Sequence, residues 1–188
     1  ETYVVDPCFI VSIWGMETSY GRYMGNFPVI NSLVTLAYNT RRAEFFRREL
    51  LLALHILNDG HVSLKRFKGE WAGASGHPQF LPSSWHKFAV DYNGDGRRDI
   101  WTTHADVFAS IANYLKGNGW RNGEPWAIPV KLPRNFDKSL EGKKYKQSVS
   151  QWQAMGVRTV SGQALPYQHL EASIITPYGG PAILAFDN

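Results

Sequence analysis

Asp6-Pro7-Cys8-Phe9-Ile10-Val11-Ser12-Ile13-Trp14-Gly15-Met16-Glu17-Thr18-Ser19-Tyr20-Gly21 decides how the rest of this chain is read. Asp6 suits the position that caps free N–H groups at a helix start. Pro7 suits the first helical position, where its missing N–H has no partner to lose. Phe9, Ile10, Ile13 and Trp14 recur at helical spacing, and Glu17 follows Ile13 by four residues and Trp14 by three, which places it on the same face. Gly21 is a stop signal. The pattern predicts an apolar helix with one carboxylate near its C-terminal end. Burial there, together with the negative end of the helix dipole, disfavours the ionised carboxyl and suits it to donate a proton. The plainer alternative is a helix-end glutamate that faces water or pairs with Arg22.

Outward from this helix, Ser32–Tyr38 reads as a short apolar helix and Thr40-Arg41-Arg42 as a connector. Ala43 to Leu57 reads as a long helix with Phe45, Phe46, Leu50, Leu54 and Leu57 available for packing, and Asn58-Asp59-Gly60 ends it. Arg41, Arg42, Arg47 and Arg48 fall on its solvated side. Ser63–Phe67 reads as a further short helix. Lys68 to Pro82 carries three glycines and two prolines, a composition that suits close backbone approach. Ser83 or Ser84 can cap a helix running to Val90, and Ala105 to Leu115 reads as a helix with Val107, Phe108, Ile111, Ala112 and Leu115 inward. From Trp126 the texture turns to strands and loops, with Ala172–Thr176 and Ala182–Phe186 flanking a hairpin turn.

Between two of these helices, Asp91-Tyr92-Asn93-Gly94-Asp95-Gly96-Arg97-Arg98-Asp99 sets oxygen side chains at loop positions one, three, five and nine, with glycine at six. This is the opening of an EF-hand Ca²⁺ loop. Position twelve is Thr102 where a bidentate Glu is usual, so another carboxylate must complete the shell, and Asp106 is the nearest candidate downstream of Asp99.

The totals bound the rest. With 188 residues, 44% hydrophobic and 19% charged, the chain folds and holds one domain or a domain with an appendage. A net charge of +4 permits an anionic polymer as partner without selecting one. No basic cluster is interleaved with the aromatics, which argues against a nucleic-acid binder. The single cysteine, Cys8, excludes an internal disulfide and reads as a core residue. No apolar run reaches the ~18 residues of a membrane span, and no signal peptide opens the sequence.

Taken in order, Gly15–Gly21, Arg41–Phe46, Ala72–Ser84, Asp91–Trp101, Asn113-Tyr114, Gly119-Trp120 and Gly180-Pro181-Ala182 resemble the membrane-bound lytic transglycosylase B family of murein-cleaving enzymes. The resemblance implies a mainly α (α+β) fold. Residues 1–121 would form a lysozyme-like catalytic body including the metal loop 91–106, and 122–188 a smaller β-containing region packed on it. It implies cleavage of the β-1,4 bond between N-acetylmuramic acid and N-acetylglucosamine in peptidoglycan, leaving 1,6-anhydromuramoyl ends. Carried over by position, Glu17 is the acid and then the base. Gln79, Tyr114, Phe45, Glu70 and Ser75 bind substrate, and Asp91, Asn93, Asp95 and Asp106 hold a structural Ca²⁺ or Na⁺, with no cofactor for catalysis.

The implied partners are glycan strands and other cell-wall enzymes, with no nucleic acid and no transmembrane segment. The implied location is periplasmic, with outer-membrane anchoring through a preceding segment. Two positions depart from the family: Glu70 stands where Ser is usual, beside the groove residues, and Pro78 replaces a polar or small residue before Gln79. The family also continues past the position of Asn188 with a segment that borders the active site. The competing readings are a hydrolytic muramidase in which Glu70 activates water, and an inactive glycan-binding module.

Overall fold

The computed structural model describes residues 3–38 and 41–188; Thr40 of the expected connector lies outside them. Two compact units make up the chain, Glu1–Asn122 and Gly123–Asn188. The first is helical: α1 (Pro7–Thr18), α2 (Val29–Tyr38), α3 (Ala43–Asn58), α4 (Pro82–Phe88) and α5 (His104–Gly117), with a two-residue antiparallel ribbon of β1 (Phe27–Pro28) and β2 (Lys68–Gly69). Its core joins Val29 and Leu33 of α2, Phe46, Ala53 and Ile56 of α3, Trp85 of α4, and Phe67, Phe80 and Ile100 from the connecting segments.

The stripe that α3 buries is Phe46, Glu49, Ala53 and Ile56. It is rotated from the expected one, and Leu54 is exposed. The rotation brings a carboxylate inside: Glu49 is 3% exposed, and its Oε2 accepts the Ser83 N–H at 2.9 Å. That bond explains a second difference. α4 begins at Pro82, its N-cap is Leu81, and no side chain of its own caps it, so a carboxylate from another helix replaces the expected serine cap. Segment Ser63–Phe67 forms turns and not a helix.

The stretch between β2 and α4 folds onto itself. Ser75 and Phe80 exchange both main-chain hydrogen bonds, at 3.0 and 3.1 Å, and Glu70 N donates to Ala74 O at 2.8 Å. Gly76 has φ +74, and a Cβ there would stand 2.8 Å from the Ile100 carbonyl oxygen, so the close backbone approach expected from composition is present.

The second unit holds a five-stranded antiparallel sheet in the order β4-β6-β7-β3-β5, from β3 (Ala127–Lys131), β4 (Lys146–Ser148), β5 (Arg158–Thr159), β6 (Glu171–Ile175) and β7 (Ile183–Ala185). β6 and β7 are the expected hairpin. A helix not anticipated from sequence, α6 (Val149–Ala154), starts at a Ser148–Gln151 capping box and buries Trp152, whose indole N–H donates to Ala172 O at 2.8 Å. Among the described residues, no helix is long and apolar enough to cross a membrane.

Candidate functional site

α1 is capped as its sequence dictates: Asp6 Oδ1 accepts the Cys8 N–H at 2.8 Å, with Pro7 at the first position. Its burial differs from expectation. Phe9, Ile10, Ile13 and Trp14 are half-buried, and Thr18 is the one buried residue of the helix. Cys8 is exposed and is not core, because it lies on the opposite side from that half-buried stripe. Its thiol is held above the ordinary range by the hydrogen bond and charge of Asp6.

The helix stops three residues before Gly21. Ser19 and Tyr20 already take left-handed backbone, at φ 49 and 62, a strain of about 1–3 kcal/mol each for residues with a side chain. The Tyr20 ring packs edge-on against Trp14 with centroids 5.4 Å apart, and Ser19 N donates to Gly15 O at 2.9 Å. These contacts hold the tight turn that follows Glu17.

Glu17 is reached by solvent, where the spacing placed it on the buried face. The surrounding protein nevertheless raises its carboxyl pKa, and burial is the one cause; no neighbouring charge contributes. Among the described residues Glu17 has no hydrogen bond or ion pair, Arg22 included. It is an accessible, unpaired carboxyl biased toward its protonated form.

Gln79 also has left-handed backbone, φ 50. Its Nε2 donates to Gly76 O at 2.9 Å and to Met24 O at 3.2 Å, while its Oε1 is buried without a partner. Tyr114 of α5 sets its ring 5.5 Å from Phe80, the residue after Gln79, and 5.0 Å from Phe88. Tyr114 is thereby packed against the residue that follows Gln79. Ser75 is 3% exposed and shapes that loop from inside through its pairing with Phe80. Glu70 is exposed at the base of the same loop, and Phe45 packs edge-on against Phe46 under the Arg42 guanidinium. Among the described residues no hydrogen bond or ring contact joins Glu70 or Phe45 to Glu17.

The spacing of motifs gave no sign of a buried cluster beneath Glu17. Trp14 Nε1 donates to His77 Nδ1 at 2.9 Å, and Thr18 Oγ1 donates to His77 O at 3.1 Å. A tryptophan and threonine four apart on a helix and a histidine 59 residues beyond the threonine leave no pattern that sequence reading could detect.

The acidic loop closes on its own amides. Asp91 accepts N–H bonds from Gly94, Asp95 and Gly96; Asn93 Oδ1 accepts from Asp95, and Asp95 Oδ1 from Arg97. Gly96 sits at φ +85, where the sixth position must turn. Asp106 is fully buried, its Oδ1 accepting the Tyr92 N–H at 2.9 Å and its Oδ2 the Asp99 N–H at 2.8 Å. Among the described residues no three His, Cys, Asp or Glu side chains gather as a metal centre. The all-oxygen donor set nevertheless fits a hard cation such as Ca²⁺, because Asp91 Oδ2, Asp95 Oδ1 and both Asp106 oxygens each accept a single N–H and retain a second lone pair.

Comparison with known proteins adds three relatives. A family model described as a transglycosylase SLT domain matches residues 1–188. The membrane-bound lytic murein transglycosylase B of Escherichia coli K12 is 39% identical over 163 residues, which cover 84% of this chain and 43% of that protein. The crystal structure of SltB3 from Pseudomonas aeruginosa in complex with NAG-NAM-pentapeptide is 48% identical, with a TM-score of 0.93 over 98% of this chain and 50% of that one. The Escherichia coli lytic transglycosylase SLT35 in complex with calcium is 34% identical, with a TM-score of 0.85 over 99% of this chain and 59% of that one. The chain thus spans about half the length of the proteins it matches.

Proposed function

The chain belongs to the transglycosylase SLT domain family, alongside the membrane-bound lytic transglycosylase B, and from that premise we propose that it is a lytic transglycosylase of peptidoglycan. The bond cleaved is the β-1,4 link between N-acetylmuramic acid and N-acetylglucosamine. Glu17 carries both proton transfers. In the first, its carboxyl gives a proton to the glycosidic oxygen as the C1–O bond breaks. In the second, the resulting carboxylate takes the proton of the muramic 6-hydroxyl as that oxygen bonds to C1. The product is a 1,6-anhydromuramoyl end, and no water is consumed.

The observation that carries this reading is the state of Glu17: unpaired, accessible, raised by burial alone. A usual glycosidase needs a second carboxylate across the bond. An internal hydroxyl as nucleophile removes that need, and no second acid acts on Glu17. Gln79 and Tyr114 are the groove residues that meet the sugars. Phe45 and Glu70 extend the groove.

Asp91, Asn93, Asp95 and Asp106 would hold Ca²⁺, which would supply a structural cross-link and no catalytic step; the calcium complex of SLT35 supports this choice of ion. A murein substrate sets the place of action in the periplasm. Digestion of purified murein tests the reading. Fragments ending in anhydro-muramic acid are expected, each one water lighter than its hydrolytic counterpart. Reducing muramic ends would replace the proposal with a hydrolytic muramidase, and sugar binding without turnover would replace it with a binding module.

A further inference from the structure

We propose that His77 is a positioning residue, which locks the helix bearing Glu17 to the loop bearing Gln79 through a neutral ring nitrogen that accepts the Trp14 indole N–H. The inference rests on the assignment of Glu17 and Gln79 above and concerns what fixes their separation.

His77 is 7% exposed and is held at three points. Its Nδ1 accepts from Trp14 Nε1 at 2.9 Å. Its carbonyl accepts from Thr18 Oγ1 at 3.1 Å. Its N–H donates to Ile100 O at 2.9 Å, at the exit of the acidic loop. Trp14 and Thr18 lie one turn apart on α1 with Glu17 between them, so both α1 contacts bear on the last turn of that helix. Gln79 is two residues from His77 in the other direction.

The packing leaves little freedom. Gly21, at φ +82, has no Cβ where one would stand 2.3 Å from His77 Cε1, and its N–H donates to Thr18 Oγ1 at 3.1 Å. The His104 ring lies 5.2 Å away, centroid to centroid. Because Nδ1 accepts, the ring proton sits on Nε2. Burial, and then the nearby His104, lower the His77 pKa against the opposing pull of the Trp101 backbone and Asp99, which favours the neutral ring that this hydrogen bond needs. A protonated ring would turn a donor toward the indole donor. A shift of about 1 Å in reacting groups can cost on the order of 100-fold in rate, so a clamp between these two segments acts on turnover more than on binding.

The test compares His77→Asn with His77→Leu. The two side chains have nearly the same shape, and asparagine keeps an acceptor oxygen close to the position of Nδ1. Measured on soluble muropeptide chains, His77→Leu is expected to lower kcat about 10–100-fold with KM within about threefold of wild type, while His77→Asn recovers most of the loss. The Trp14 indole N–H resonance, assigned with Trp14→Phe, is expected downfield in wild type and His77→Asn and upfield in His77→Leu. Equal loss in two folded variants, or full activity in His77→Leu, overturns the proposal. If wild type itself forms no anhydro product, the proposed function falls separately. The clamp is then judged by exchange of the Gln79 and Phe80 amides: faster in His77→Leu alone supports it, and unchanged in both variants overturns it.

Discussion

Glu17 is where the proposed chemistry and the stability of this chain meet. Its folded pKa lies above its unfolded one, so the native state binds the proton more tightly than the unfolded state does. The resulting penalty is absent below the unfolded value, near pH 4, and grows as pH rises through the folded value. Glu17→Gln is therefore expected to be more stable than wild type at pH 7, with the gain vanishing below about pH 4. Solvent reaches the group and screens the effect, so the gain is small. Urea unfolding at the two pH values checks it, and a variant less stable than wild type at pH 7 would remove the basis for a raised carboxyl. The same substitution is expected to lower turnover by about 10²–10⁴-fold, the range of a lost acid–base group.

At the scale of elements, two buried carboxylates fasten this fold where helices alone would not. Glu49→Ala leaves the Ser83 N–H unpaired at the start of α4 and is expected to cost about 1–2 kcal/mol, with Glu49→Gln costing less because it keeps an acceptor. Asp106→Asn turns one of two accepting oxygens into a donor facing an amide, an expected loss of about 1–3 kcal/mol by thermal or urea unfolding. Both carboxylates also mark the limits of sequence reading. α3 and α5 were legible from periodicity and α1 from its Asp-Pro start, since these signals are local. The inward place of Glu49 was not, because its partner Ser83 is 34 residues away. Glu17 was placed on the right helix and with the stripe of Phe9, Ile10, Ile13 and Trp14 that packs, but its own exposure was not legible, since it stands one residue from the end of α1, where few neighbours remain to cover it. α6 was hidden because six residues give too short a window for a helical period, although Ser148 and Gln151 stand at capping-box spacing.

Taken as a whole, the molecule divides into a helical unit that carries the proposed chemistry and a sheet unit built around Trp152. Trp152 is fully buried, so Trp152→Ala is expected to cost the second unit about 3–5 kcal/mol, seen as lost amide protection in β6 and β7. Ca²⁺ should raise the midpoint of the helical unit in proportion to the logarithm of its concentration once above the dissociation constant; Asp91→Asn with Asp95→Asn should abolish the rise, and no response in wild type would count against the ion. The central claim is that one carboxyl performs both proton transfers and that no water enters the product. Digestion of murein in ¹⁸O-labelled water, with wild type beside Glu17→Gln, tests it most directly. The expected result is unlabelled anhydro-muropeptides from wild type and none above background from Glu17→Gln. Muramic acid ends carrying ¹⁸O, or undiminished product from Glu17→Gln, would contradict it.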